Sequence, residues 1–375
     1  MGSDRTNGTR DVYIAGIGSH SPGEPVPFKQ IEEVLGPITG VPPKLAAWID
    51  RMRPIMAEML GIQFCHYAID PLTRKPTEDN VTMSVKAAHR ALDMAGLKPT
   101  DVDLLVYGGN IMEYMCPPTT TLIQEELKIP ACAEYAIHSN CTSIYKALQL
   151  ATDQIQLGRY KHALIMTSTL ASPFLRAEHF NPKVLAKSQI LLRWFLCDGA
   201  GALVLTSDPN VGQKRLRVLG TYIESMGLGL GPDMFCTVGG QRVNLPEAYE
   251  NGWHHLTQNF DKVATLSVEL GKKACDRLMD RLGMDWWQVK HVFMNVPTRH
   301  IYDQMVLEMR RDRKAPGLQF YSKLADRGYP GACAVIHALD GFLQETTPDK
   351  GDIVASVVAE SSKWMYGGFA LEYVG

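Results

Sequence analysis

Length, composition and charge limit what this chain can be. Its 375 residues suffice for one large domain or two moderate ones, and 45% hydrophobic with 21% charged residues is typical of a folded soluble protein. A formal net charge of -2 gives no reason to expect nucleic acid or an anionic membrane as a partner. No run approaches the roughly 20 apolar residues that span a bilayer, and the polar start lacks a signal peptide, so we expect a cytoplasmic protein.

Short apolar runs alternate with helical segments in the first half of the chain. The runs predict strands at residues 12–17, 104–108, 162–167 and 201–205. Residues 81–95 have helical periodicity, because Met83, Ala87, Ala91 and Met94 recur on one side. Strands that alternate with helices imply crossover connections and a mainly parallel, buried sheet.

The second half of the chain repeats this alternation of strands and helices. The predicted elements are strands at 215–223, 291–296, 353–358 and 369–374 and helices at 256–282 and 331–342. Segments 199–205 (GAGALVL) and 367–373 (GGFALEY) are also alike. We therefore predict two related α/β halves, residues 11–210 and 211–375, and a long loop in the Gly- and Pro-rich stretch 226–247.

Cys141 is the cysteine whose position indicates chemistry. The eight cysteines are scattered without a CxxC pair, so we predict no metal site and mostly reduced, buried thiols. A predicted strand at 134–137 leads to Cys141, and a helical pattern that includes Ile144, Ala147 and Leu148 follows it. Amides and the dipole at a helix N-terminus favour a thiolate and can stabilise an oxyanion. The residues alone leave a buried structural cysteine equally open.

The segment around Cys141 resembles the nucleophile turn of ketoacyl synthase III and its thiolase-superfamily relatives. Four further stretches resemble the same family in matching order, so the resemblance covers about residues 12–373. These are Gly61-Ile62 with Tyr67–Asp70, residues 82–97, the Cys197-Asp198-Gly199-Ala200-Gly201-Ala202 run, and Glu360–Lys363 with Gly367-Gly368-Phe369.

The resemblance implies a fold, a chemistry and partners. The fold would be a duplicated βαβαβ arrangement in five αβαβα layers, usually a homodimer. Cys141 would take an acyl group from an acyl-CoA or acyl-carrier-protein thioester and pass it to a second substrate, with no bound cofactor. Gly367 and Gly368 would place an amide near Cys141, completing an oxyanion hole with the Cys141 amide.

Two residues that the family uses for decarboxylative condensation are replaced here. The family histidine falls on Asn295 when aligned on its strand, or on Thr298 when aligned on the following proline. Tyr329 replaces the family asparagine, and Cys65 stands where many relatives have an arginine for coenzyme A. Asn295 and Tyr329 can donate hydrogen bonds to a thioester oxygen, but neither is a general base near neutral pH. We therefore do not predict ordinary fatty-acid initiation, and Cys65 slightly favours a carrier-protein donor.

Other side chains are candidates for proton transfer. His300 follows the Asn295 strand closely, and Glu113 falls on the loop where some relatives place a catalytic glutamate. These two are the preferred pair, His138 is a further candidate, and structural roles remain open for each. Apolar side chains between residues 176 and 195 fit either an acyl pocket or an ordinary core and dimer surface.

The sequence therefore supports two hypotheses of different classes. The first is an acyltransferase or atypical condensing enzyme, acting through acyl-Cys141 in specialised metabolism. The second is a non-catalytic or half-catalytic subunit of a hetero-oligomer that keeps the fold for assembly. Retention of Cys141 favours the first, and loss of the family histidine and asparagine keeps the second open. A biosynthetic thiolase fits less well, because the C-terminal half lacks a Cys-x-Gly setting.

Overall fold

A computed structural model describes residues 10–237, 244–313 and 315–375 of the chain. Six residues of the predicted loop at 226–247 lie outside these ranges, namely 238–243. The strands are β1 (Tyr13–His20), β2 (Val26–Pro27), β3 (Phe64–Cys65), β4 (Leu104–Gly109), β5 (Ala133–His138), β6 (His162–Thr169), β7 (Gly199–Thr206), β8 (Leu216–Ser225), β9 (Met234–Phe235), β10 (Thr257–Gln258), β11 (His291–Met294), β12 (Gln319–Tyr321), β13 (Ile353–Glu360) and β14 (Met365–Tyr373).

The α-helices are distributed across the described ranges. They are α1 (Ile31–Leu35), α2 (Pro43–Leu60), α3 (Asn80–Ala95), α4 (Thr119–Glu126), α5 (Ser143–Gln156), α6 (Ser172–Leu175), α7 (Lys187–Phe195), α8 (Leu245–Asn251), α9 (Phe260–Leu282), α10 (Arg299–Asp312), α11 (Leu324–Arg327) and α12 (Ala334–Glu345). Within the described ranges, no helix is long and apolar enough to cross a bilayer.

A central sheet of ten strands, among the described residues, organises the molecule. Its strand order is β12-β11-β13-β14-β8-β1-β7-β6-β4-β5. Strand β4 pairs in parallel with β5 and β6, just as β11 pairs in parallel with β12 and β13. Strands β7 and β14 are antiparallel to their neighbours on both sides. The two halves of the sheet therefore share one order and one set of directions, and the similar segments 199–205 and 367–373 lie in corresponding strands.

Helices pack on both faces of each half-sheet. Helix α3 packs on β1 and β7, and α9 packs on β13 and β14, so these helices form the two outer layers. Helices α5 and α12 lie between the halves: α5 contacts strands of both, and α12 contacts β1 and β11. The predicted five-layer α/β architecture is confirmed.

Several predicted bounds differ from those of the structure. The helix predicted from residue 256 begins at Phe260, because residues 257–258 form β10 and the Asn259 side chain caps the helix by accepting from the Lys262 amide. The helix predicted from 331 begins as a 3-10 turn over Gly331–Cys333. The predicted boundary between residues 210 and 211 falls in the connection between β7 and β8.

Candidate active site

A cavity of about 880 Å³ lies where strands of both halves end. Parallel strands of α/β sheets place ligands at their carboxyl ends, and here the residues that follow β4, β5, β6 and β11 all reach the cavity wall. Most of the lining is apolar. The larger apolar and thioether side chains include Ile111, Met112, Phe174, Phe195, Leu196, Met234, Leu256, Val263, Met294, Ile301, Met305 and Met365.

The cavity lining shows which apolar side chains between residues 176 and 195 could belong to an acyl pocket. Of that segment, Phe195 lines the cavity, whereas Phe180, Leu185, Ile190, Leu192 and Trp194 belong to a buried cluster outside the lining. Most of the segment therefore forms core.

Cys141 lies on the cavity wall, immediately before helix α5. Its Sγ is 3.3 Å from the Tyr329 hydroxyl, which is hydrogen-bonding distance for sulfur. Tyr329 is fixed by the Cys197 amide, which donates to its carbonyl, and by the ring of Phe195, whose centroid is 6.1 Å away. The N-terminal half thus supplies the thiol and the C-terminal half the hydroxyl beside it.

The Cys141 thiol is neutral at rest. Burial raises its pKa to about 12, with a further contribution from the nearby Glu360 carboxylate, and these outweigh the stabilising hydrogen bond of Tyr329. Burial and the adjacent Cys141 likewise raise the pKa of Tyr329 well above its usual value. The helix N-terminus alone does not produce the resting thiolate that its position suggests.

Glu360 explains why the helix N-terminus has so little effect. This buried carboxylate accepts hydrogen bonds from the Thr142 amide, at 2.8 Å, and from the Ser139 hydroxyl, at 3.0 Å. Lys146 donates to the same Ser139 hydroxyl at 2.7 Å. The dipole of α5 is therefore already compensated by a fixed negative charge. The sequence interpretation missed Glu360 as a site residue, although an acidic residue that ends the apolar run 353–359 is an unusual feature.

Asn295 follows β11 and lines the cavity. Only 3% of the residue is exposed, and although the Tyr145 hydroxyl is a polar neighbour, neither Oδ1 nor Nδ2 makes a well-formed hydrogen bond among the described residues. A buried primary amide without partners costs free energy, so such a group is a candidate for contact with a ligand. The fold thus brings the predicted site residues Cys141, Tyr329 and Asn295 to one cavity.

The preferred proton-transfer pair lies elsewhere. His300 is exposed on the first turn of α10 and is not among the described lining residues. Glu113 is turned toward α3, where it accepts from the backbone and side-chain amides of Asn80, each at 3.1 Å. Tertiary packing, which the local sequence does not encode, directs both side chains away from the cavity. His138 does line the cavity, and its Nε2 lies 3.2 Å from the Asn110 carbonyl.

Two other predicted site features have structural roles. Thr298 caps α10, since its hydroxyl accepts from the Ile301 amide. Gly367 and Gly368 lie inside β14, which pairs with β13 on one side and β8 on the other. Amides of an interior strand are used by the sheet, so this pair does not offer the expected oxyanion donor. A Cβ at Gly367 would lie 2.8 Å from the Tyr145 Cβ, which gives the position a packing reason for glycine.

Comparisons with known proteins find similar sequences and similar folds. The family model of 3-oxoacyl-[acyl-carrier-protein] synthase III matches residues 135–227, which include Cys141. The β-ketoacyl-[acyl-carrier-protein] synthase III of Sphingopyxis alaskensis is 27% identical over 248 residues, covering 65% of this chain and 69% of the relative. The enzyme of the same name from Neisseria meningitidis serogroup B is 24% identical over 335 residues, covering 88% and 93%.

Solved structures share the fold over almost the whole chain. AbyA1, a tetronic acid condensing enzyme, matches with a TM-score of 0.78 at 23% identity, covering 96% of this chain and 99% of AbyA1. OleA from Xanthomonas campestris, in a variant solved with lauric acid and lauroyl-CoA, matches with a TM-score of 0.75 at 16% identity, covering 97% and 99%.

The fold is thiolase-like, as in AbyA1 and OleA, and the sequence is similar to that of ketoacyl synthase III proteins. The relatives described above are β-ketoacyl-[acyl-carrier-protein] synthases III, to which the chain is similar at 24–27% identity.

Proposed function

We propose that this chain is an acyltransferase or atypical condensing enzyme that carries its acyl group on Cys141. The observation that carries the proposal is the Cys141 thiol on the wall of an apolar cavity, 3.3 Å from the Tyr329 hydroxyl. Relatives named for acyl-carrier-protein substrates support a carrier-protein or CoA thioester as the donor. The apolar lining suits a hydrophobic acyl chain.

Acylation is a thioester exchange that needs no permanent base. The Cys141 sulfur attacks the acyl carbon and forms a new C–S bond, while the bond from that carbon to the donor sulfur breaks. The electron pair goes to the donor sulfur, which also receives the proton that Cys141 loses. Because the resting thiol is neutral, the proton leaves as the new bond forms. Asn295 Nδ2 and the Tyr329 hydroxyl are our candidates for stabilising the developing oxyanion, in place of Gly367 and Gly368.

The second substrate then receives the acyl group. Asn295 and Tyr329 replace the histidine and asparagine that stabilise the enolate of decarboxylative condensation in the family, so we place this enzyme in specialised metabolism rather than fatty-acid initiation. We further propose that it works as a homodimer, as the family resemblance implies.

A second candidate function is a non-catalytic subunit of a hetero-oligomer. It is favoured by the raised pKa of Cys141 and by the absence of His300 and Glu113 from the described cavity lining. In that case a partner chain would supply the chemistry.

The deciding experiment is intact-protein mass after incubation with a panel of acyl-CoA and acyl-carrier thioesters. We expect a gain of one acyl group in the wild type and in Cys116→Ala, which removes an exposed thiol, but not in Cys141→Ala. No gain with any donor on folded protein would overturn the proposal and favour the subunit.

A further inference from the structure

Gln258 is a cavity residue that the acylation chemistry does not use. It lies in β10, is 6% exposed and lines the cavity. Its Nε2 donates to the Ser361 hydroxyl at 3.3 Å, whereas its Oε1 is buried without a hydrogen-bond partner among the described residues. The side chain is therefore held in one orientation while a strong acceptor is left unused.

This unused acceptor belongs to a polar region of the cavity. Ser361 follows Glu360, which also lines the cavity. Met294, before Asn295, pairs with Val357 on the neighbouring strand β13, so the unpartnered Asn295 amide lies near the same strand end. The region thus offers acceptor oxygens from Gln258 and Asn295 beside the apolar wall, whereas the Glu360 carboxylate already accepts from Ser139, Thr142 and Ser362.

The charge of this region also restricts which ligands it can bind. Among the described lining residues, Glu360 is the single carboxylate, and no lysine or arginine is present. Lys146 lies beside Glu360 but outside the described lining, and its ammonium donates to Ser139. A ligand carboxylate would meet a like charge and free acceptors in a largely apolar space, both of which are unfavourable.

We propose that Gln258 and Asn295, beside the charge of Glu360, form the subsite for the second substrate, and that it takes a group with an O–H or N–H proton rather than a free carboxylate. This inference rests on the proposed acyl transfer from Cys141 and narrows its acceptor to an alcohol or an amine. Gln258 Oε1 accepts the hydrogen bond that orients the acceptor group, which makes Gln258 a specificity-determining residue.

The transfer step balances without a further reactant. The acceptor oxygen or nitrogen attacks the acyl carbon, forming a C–O or C–N bond, and the C–S bond to Cys141 breaks. The electron pair of that bond goes to the Cys141 sulfur, and the proton lost by the acceptor ends on the same sulfur. The thiol is restored as the neutral form that the site favours at rest.

The test uses three acceptor probes that differ only at one end. They are the N-acetylcysteamine thioesters of malonate, 3-hydroxypropionate and β-alanine, added to acyl-Cys141 enzyme prepared from decanoyl thioester. Loss of the acyl group is followed by intact mass and the products by chromatography with mass detection. We expect the hydroxyl or the amine probe to discharge the enzyme at least about tenfold faster than the malonyl probe. The faster of the two identifies the acceptor class.

Variants separate the subsite from acylation. Gln258→Met should lower probe-dependent discharge about tenfold while Cys141 still takes its acyl group, and Gln319→Met, at an exposed glutamine, should change neither. Discharge by the malonyl probe with release of carbon dioxide, or an unchanged rate in Gln258→Met, would overturn this inference alone. If Gln258→Met cannot be acylated, the wild-type probe comparison decides. Failure of the wild type to form acyl-Cys141 would instead overturn the proposed function and the inference with it.

Discussion

At the scale of single residues, the site combines a buried, neutral thiol with an amide that lacks well-formed hydrogen bonds. Cys141 is neutral because burial and Glu360 outweigh its hydrogen bond from Tyr329. Asn295 has the opposite character: it is polar and buried, and its amide makes no well-formed hydrogen bond among the described residues. Residues that reduce stability without a structural reason are typical of functional sites. The two features together indicate a cavity organised for a ligand.

Asn295→Leu tests this interpretation directly. Leucine has a similar shape and removes two buried polar atoms without partners, so the free energy of unfolding should stay equal or rise by about 1 kcal/mol. Acylation of Cys141 should fall about tenfold or more, because an oxyanion donor is lost. Thermal melting and intact-mass acylation rates measure the two effects. A clear loss of stability, or acylation at the wild-type rate, would contradict the assignment of Asn295 to the site.

The sequence located part of the site and missed the rest for physical reasons. Cys141, Tyr329 and Asn295 were found because each follows a recognisable element in family order. His300 and Glu113 follow such elements too, but whether a side chain faces the cavity depends on packing that no local pattern encodes. Gln258 was missed because its two-residue strand has no periodicity to detect.

At the scale of elements, the start of α5 and the Glu360 carboxylate form the surroundings of Cys141. The Thr142 amide, one of the orphan donors of this helix, is bound to Glu360 at 2.8 Å. The carboxylate stabilises the helix and disfavours a second negative charge on the neighbouring sulfur.

Glu360→Gln should lower both the pKa of Cys141 and the stability of the protein. Since the Glu360 charge raises the pKa of Cys141, its removal should lower the pH at which Cys141 is alkylated by iodoacetamide. The free energy of unfolding should fall by about 1–2 kcal/mol, because the helix loses a charged cap. Alkylation is followed by intact mass across a pH series, with Cys141→Ala to identify the site. Glu58→Gln, at an exposed glutamate of α2, is the matched control. An unchanged alkylation profile would show that Glu360 does not govern the thiol.

The longer elements were predictable, and the short or interrupted ones were not. Strands β4, β6 and β7 are fully or almost fully buried, so their sequences are continuous apolar runs. Helix α2 was not predicted: it has Pro54 inside it and few buried positions, which weakens the helical pattern. The three-residue strand β12 is too short for alternation to be recognised.

At the scale of the whole molecule, the two halves complete one site. The N-terminal half provides Cys141 and Phe195, and the C-terminal half provides Asn295, Tyr329 and Glu360. Each half has the same strand order, yet only their juxtaposition encloses the cavity. Contacts between the halves should therefore influence activity as well as stability.

His337 makes one of these contacts. It lies buried in α12, and its Nε2 donates to the Ala200 carbonyl of β7 at 3.1 Å. Burial lowers its pKa to about 3. Well above pH 6.5 the imidazole is neutral in the folded and unfolded states alike. As the pH falls from 6.5 toward 3, the unfolded chain binds a proton that the folded protein excludes, so stability is lost.

His337→Gln should remove this acid sensitivity while keeping a donor for Ala200. Between pH 6.5 and 4.5 the wild type should lose roughly 2–3 kcal/mol more stability than the variant. Asp198, whose pKa burial raises to about 6, changes stability in the opposite sense, but it is present in both proteins and cancels from the difference. Urea unfolding across this pH range provides the measurement, with His89→Gln, at an exposed histidine, as the control that should follow the wild type. If the free energy of unfolding varied with pH in the same way for wild type and His337→Gln, His337 could be protonated without loss of stability.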